Sequence, residues 1–199
     1  MAEQRRRLDP AARRLEIIET AERLLARDGE TVRVEDVVAA AGAAKGTFYH
    51  YFPTWDDLLD ALRTRTFERF DARYQLPTEV DGPIDWMRVL DELAAAFVGF
   101  TLGQERLHDV LFHSDFARRR PLPADQNATI RLAAVIRAGQ EAGVFAGLDP
   151  EPTARLLFAV LHETADAVAE GEDCERSLAA LQVVLRRALA ARPEEGSAQ

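Results

Sequence analysis

Two short helical stretches joined through a glycine constrain this chain more than any other feature. Val34, Val37, Val38 and Ala41 recur at helical spacing, and Gly42 then breaks the run. A second stretch spans about Ala44 to Tyr51, and Pro53 stops it because proline cannot continue a helix. A glycine at the joint, Ala41-Gly42-Ala43, allows the sharp turn that a helix-turn-helix requires. On the second stretch Phe48 and Phe52 are four apart and should face inward, against the preceding helix. Lys45, Thr47, Tyr49 and His50 are then left toward solvent, a face with cation, hydroxyl, phenol and imidazole and no acid of its own. Gly46 removes a side chain from that face, and the helix N-terminus offers free N–H groups for phosphate. A helix of this width fits the major groove of B-DNA.

The rest of the chain reads as helix. Ala and Leu far outnumber the β-branched Ile and Val, and no long stretch alternates apolar and polar with period two. Asp9-Pro10 is an N-cap followed by proline at the first helical position, and Ile17, Ile18, Ala21, Leu24 and Leu25 follow before Asp28-Gly29. Thr54-Trp55-Asp56-Asp57 approximates a capping box and opens a helix to about Tyr74. Gln75–Pro83 reads as a loop. A fifth helix from near Pro83 carries the stripe Trp86, Leu90, Leu93, Phe97 and Phe100. Further helices are expected over about 105–116, 125–142, 150–170 and 175–191, the last with Leu178, Leu181, Leu185 and Leu189 inward. The expectation is an all-α chain of about nine helices: a helix-turn-helix domain over 9–54, a helical body over 55–192, and flexible tails at 1–8 and 193–199.

Charge separates these parts. Residues 1–52 carry nine basic and nine acidic side chains, whereas residues 53–199 carry 16 and 25, which leaves the whole −9 on the body. Local positive potential toward nucleic acid can come only from the head. One cysteine excludes a disulfide framework and a multi-thiolate metal site. No apolar run reaches the ~18 residues of a membrane span, and Met1–Arg7 lacks an apolar signal region, so a cytoplasmic location is expected.

The stretch Ala41-Gly42-Ala43-Ala44-Lys45-Gly46-Thr47-Phe48-Tyr49-His50-Tyr51-Phe52-Pro53, followed by Asp57-Leu58-Leu59, resembles the TetR family of bacterial transcription regulators. The similarity extends from about Leu15 to Leu59 and includes Ala21, Gly29 and Val34. The resemblance implies a homodimer with nine helices per subunit, a double-stranded DNA operator and an effector-binding body. It implies base-edge contacts from Lys45, Gly46 and Thr47 and phosphate contacts from Tyr49 and His50. Three positions depart from the family pattern: Trp55 stands where a Lys is usual, Ala44 replaces a frequent Ser, and Arg33 stands near a usual capping Thr. Trp55 could pack on sugar or on a neighbouring helix, and Arg33 could supply a phosphate contact. The Arg5-Arg6-Arg7 arm could reach the minor groove or remain a solvated tail.

In the body, Trp86, Phe97, Phe100, Phe112, Phe116 and Phe158, with His113 and His162, are candidates to line an effector cavity. A filled core is the competing reading. His108, Asp109, Asp115 and Glu163 lie near in sequence, but no His-x3-His spacing occurs, so no metal or cofactor is expected. Leu156, Leu157, Val160, Leu161, Thr164 and Val168 exceed one stripe on their helix, which points to burial on two sides, core and a second copy. The sequence thus reads as a repressor that binds a palindromic operator as a dimer and is released by a small hydrophobic or amphipathic effector. A regulator without an effector is the alternative. A helical enzyme using Asp109, His113 and His162 is disfavoured, since no nucleophile–base pair supports it.

Overall fold

The computed structural model describes residues 9–75, 83–121 and 128–190. Among them the chain is helical: α1 Pro10–Asp28, α2 Val34–Ala40, α3 Lys45–Tyr51, α4 Trp55–Arg73, α5 Trp86–Thr101, α6 Glu105–His108, α7 Asp115–Arg119, α8 Ala128–Glu141, α9 Pro150–Ala169 and α10 Cys174–Leu189. No strand ladder occurs among the described residues; one isolated antiparallel bridge joins Phe145 and Ala190. The calls on Arg5-Arg6-Arg7, most of the Gln75–Pro83 loop, Leu122–Asn127 and the 193–199 tail fall outside the described residues.

The caps expected from sequence form. The Asp9 carboxylate accepts from the Ala11 N–H at 3.2 Å, with Pro10 opening α1. At α4 the Thr54 hydroxyl accepts from the Asp57 N–H (3.2 Å), and the Asp57 carboxylate accepts from the Thr54 N–H (2.8 Å). Each bond satisfies a donor that a helix start leaves without an intrahelical partner. Gly42 adopts φ +59° at the α2–α3 joint, a left-handed backbone that costs a side-chain-bearing residue about 1–2 kcal/mol.

The helix expected over 105–116 is instead three pieces. After α6, residues 109–113 form a π-helical turn, closed by the Ser114 N–H donating to the Asp109 carbonyl at 3.0 Å. Ser114 then leaves helical geometry at ψ 175°. Its hydroxyl donates to the Val110 carbonyl (2.6 Å) and accepts from the Phe116 N–H (3.2 Å), which caps α7. Serine's short hydroxyl competes with the helical ladder in this way, so the apolar pattern continues while the helix restarts.

Two compact units emerge, Met1–Thr66 with Gln104–Pro121, and Phe67–Gly103 with Leu122–Gln199. This division differs from the 54/55 boundary read from sequence, because packing assigns the first half of α4 and the 104–121 segment to the helix-turn-helix.

The core of the first unit gathers Ile17, Ile18, Ala21 and Leu25 of α1, Val37 of α2, Phe48 and Phe52, and Leu58 and Leu62 of α4. Leu107, Leu111 and Phe116 close it from the 104–121 segment. An ionic network ties that segment to the start of α4. Arg63, 5% exposed, donates to the Arg120 carbonyl (2.8 Å) and to Asp60 (2.7 Å), with its guanidinium 4.8 Å from the Phe116 ring centre. Arg120 pairs with Asp57 and Asp60, and Arg119 pairs with Asp56. The Thr54 hydroxyl and the Arg120 guanidinium hold the Asp57 carboxyl below its ordinary range.

The second unit packs residues 67–73 of α4 with α5, α8, α9 and α10 around Leu90, Val98, Val135, Ile136, Ala154, Ala165 and Leu189. On α5 the most buried line is Leu90, Ala94, Phe97, Val98 and Thr101; Trp86, Leu93 and Phe100 flank it. After α8 the chain turns so that the Phe145 ring lies where a Cβ on Gly139 would stand 2.1 Å from it, so only glycine fits at 139. Gln140 fixes this turn by donating to the Ala146 and Leu148 carbonyls at 2.7 Å each. The inward residues of α10 are Leu181, Leu185 and Leu189. On α9 Leu157, Leu161 and Val168 are buried, whereas Leu156 is 70% exposed.

Asp57 carries the first prediction. Its lowered pKa means its stabilisation is present at neutral pH and is lost as pH falls through the carboxylate range. Asp57→Asn is expected to lower the melting temperature at pH 7, with the gap to wild type narrowing below about pH 4. Thermal unfolding followed by circular dichroism across pH measures both effects.

Candidate nucleic-acid interface

Helix α3 has only seven residues, too few to persist alone in water. Its place is set by Phe48 and Phe52, 0% and 1% exposed. Their rings are 5.7 Å apart, and Arg14 of α1 lies over the Phe52 ring at 5.1 Å. Arg13, also on α1, reaches the Ala41 carbonyl at the end of α2 (3.5 Å) and thus ties both short helices to the long one.

With this face buried, the opposite one is open. Ala44, Lys45, Gly46 and His50 are exposed, Tyr49 is 44% exposed and Thr47 is half-buried. The structure thus brings the expected α3 contacts onto one side. Tyr49 stands edge-on to Phe48 with ring centres 5.3 Å apart, and this contact fixes the direction of its hydroxyl. Gly46 has open space where a Cβ would be, so its absent side chain is not demanded by packing within the chain.

The two departures at the edges of the motif resolve differently. Trp55 is half-buried and stacks on Phe48 at 6.3 Å and 20°, so its ring packs on the neighbouring helix. Arg33 is exposed at the start of α2. Its guanidinium donates to the Glu30 and Val32 carbonyls, while its backbone N–H donates to the Asp36 carboxylate at 2.8 Å. In this conformation Arg33 closes the preceding turn.

Glu35 escaped the sequence reading. Its carboxylate, on α2, accepts from the Lys45 ammonium at 2.5 Å, with both side chains more than half exposed. The ammonium holds the Glu35 carboxyl below its ordinary range, and the carboxylate holds Lys45 above its own. The recognition face is therefore acid-free on α3 but not in space. Ten residues separate the partners, and only the α2–α3 turn brings them together.

The eight aromatic and histidine candidates for an effector site fall in different units. Trp86, Phe97, Phe100, Phe158 and His162 belong to the second unit, where Phe97 meets Phe158 at 5.4 Å and His162 at 6.0 Å. His162 Nδ1 lies 3.1 Å from the Asp166 carboxylate. Phe112, His113 and Phe116 belong to the first unit, and Phe116 is 2% exposed in its core. An apolar cavity of about 10 Å³ lies among Phe70, Leu93, Phe97, Arg131, Leu132 and Leu161. It has room for about one water molecule.

Residues 17–62 match the sequence model of the bacterial regulatory proteins of the tetR family. No curated protein matches the chain. Solved structures with this fold include a TetR-family transcriptional regulator from Pectobacterium atrosepticum, 24% identical over 96% of this chain and 100% of that one, with TM-score 0.68. RolR in complex with resorcinol is 20% identical over 92% of this chain and 90% of its own, with TM-score 0.71. A transcriptional regulator from Saccharomonospora viridis in complex with choline is 23% identical over 92% and 100%, with TM-score 0.64. The chain is a tetR-family protein with that family's helix-turn-helix DNA-binding domain. No helix of the described residues is long and apolar enough to cross a membrane.

Because Glu35 occupies the Lys45 ammonium and adds its own negative charge, Glu35→Gln should tighten binding to a mixed-sequence duplex. The log–log salt dependence should steepen by about one unit, the increment for one more neutralised phosphate. Fluorescence anisotropy across a salt series reads the slope, and identical slopes would show that Lys45 is already engaged despite Glu35.

Proposed function

We propose that this tetR-family chain is a cytoplasmic transcriptional repressor that binds a palindromic operator as a homodimer. The observation that carries the reading is the rigid presentation of α3. Buried Phe48 and Phe52 fix one side, and the open side offers Lys45, Gly46 and Thr47 to base edges and Tyr49 and His50 to phosphates. Ala44, at the helix start, leaves its backbone free to approach the sugar-phosphate wall. Trp55 supports α3 from behind through Phe48, and Arg33 adds positive charge at the start of α2.

The dimer surface is the outer face of α9 and α10. Leu156, Val160, Val183 and Val184 are each at least 40% exposed, an apolar patch on two helices whose other faces are already in the core. Pairing it with a second copy makes a four-helix contact about a two-fold axis and sets two α3 helices on successive turns of one face of the duplex, ~34–36 Å apart or a multiple.

The effector is a small aromatic or amphipathic molecule held in the second unit near Trp86, Phe97, Phe100, Phe158 and His162. The resorcinol and choline complexes of proteins with this fold support that reading. A cavity of about 10 Å³ is too small for either kind of ligand, so binding must open the unit. The effector then favours a conformation with lower operator affinity, by no more than its own differential affinity for the two states.

Selection from a random duplex library should return an inverted repeat. On that repeat, Tyr49→Phe is expected to weaken binding to specific and mixed-sequence duplexes alike, because phosphate contacts position without specifying. Lys45→Ala should instead cut discrimination at one base pair per half-site, by about five- to a hundredfold. A base-specific change from Tyr49→Phe would overturn the assignment. The double change Leu156→Glu, Val183→Glu should give a monomer by light scattering with unchanged helix content, since both side chains are exposed.

A further inference from the structure

We infer that the π-helical turn at 109–113 builds a transition-metal site from His108 and His113. In an α-helix, residues five apart point about 140° away from each other, so neither could share an ion. The i→i+5 bonding of the π turn, seen in the Ser114 N–H to Asp109 carbonyl contact at 3.0 Å, brings them to one side. The two imidazole rings lie 5.3 Å apart between centres, at 50° to one another. A ring nitrogen of each is within 4.8 Å of the other.

Two nitrogens bound to one tetrahedral ion at 2.0–2.1 Å sit about 3.3 Å apart. Rotation about the side-chain torsions of the exposed His113 closes that gap. His108 is half-buried, with its ring 4.7 Å from Phe112, which limits its freedom and sets the fixed half of the pair.

Imidazole donors suit Zn²⁺, Ni²⁺ and Cu²⁺, not Mg²⁺ or Ca²⁺. Two imidazoles leave the remaining positions of the ion open to other ligands. The ion would act on the helix-turn-helix unit directly. Leu107, Leu111 and Phe116, on either side of the two histidines, lie in the same core as Phe48 and Phe52. Holding the π turn therefore holds part of the wall against which α1 and α4 pack.

The test is titration of the full chain with Zn²⁺ by isothermal calorimetry, with Mg²⁺ in parallel. One Zn²⁺ per chain and no Mg²⁺ heat are expected. His108→Gln and His113→Gln should each weaken Zn²⁺ binding by at least about tenfold, no less than loss of an outer hydrogen-bond partner costs a metal site. His50→Gln, on a distant histidine, should leave it unchanged. His113 is exposed, so its variant keeps the fold and is decisive. In the wild-type protein, Zn²⁺ should also shift the ring resonances of His108 and His113. Absence of Zn²⁺ binding by wild type, or wild-type affinity in His113→Gln, would overturn the site.

Discussion

Burial of Phe48 is the contact on which the head depends. A seven-residue helix contributes too little hydrogen bonding to fix its own orientation, so the orientation is borrowed from the core. Truncating a fully buried phenylalanine costs about 3–5 kcal/mol, a large share of the stability of a small unit. Phe48 touches Tyr49, Phe52 and Trp55, which belong to the exposed face, the inner face and the next helix respectively. One ring thus sets where the polar side chains point and how α4 leaves the motif.

The second constraint is that the helix-turn-helix is not closed by neighbours in sequence alone. Residues 104–121 complete its core through Leu107, Leu111 and Phe116, and Arg63, Arg119 and Arg120 lock that segment to the acidic start of α4. Asp56 and Asp57 serve two purposes there. They favour the positive end of α4, and they receive the arginines of a segment some sixty residues away. Arg63 is buried with its charge answered by Asp60 and a carbonyl, and burial still draws its pKa down.

Much of this was legible from local chemistry. Asp9-Pro10 and Thr54–Asp57 announced helix starts because capping involves residues two or three apart. Phe48 and Phe52 announced the inner face because their spacing matches the helical period. What stayed hidden depends on distance or on a change of period. Glu35 meets Lys45 only across the turn. Arg63 looks like a surface residue until Phe116 and Arg120 arrive to cover it. The pair His108–His113 fails every α-helical spacing rule, yet the π turn supplies another. The α5 stripe was read one notch off, through Trp86 and Leu93, since apolar spacing does not say which of two adjacent lines lies deepest.

The π turn also bears on how this stretch tolerates changes of length. A π turn holds one residue more than the α-helix it replaces, so deleting a single codon between Val110 and Phe112 would let the backbone relax into ordinary α geometry. Everything after the deletion would swing by about 100° around the helix axis. Phe116 would leave the core wall, and Arg119 and Arg120 would lose their register with Asp56 and Asp57. A substitution here changes one contact, whereas a deletion re-aims a whole segment.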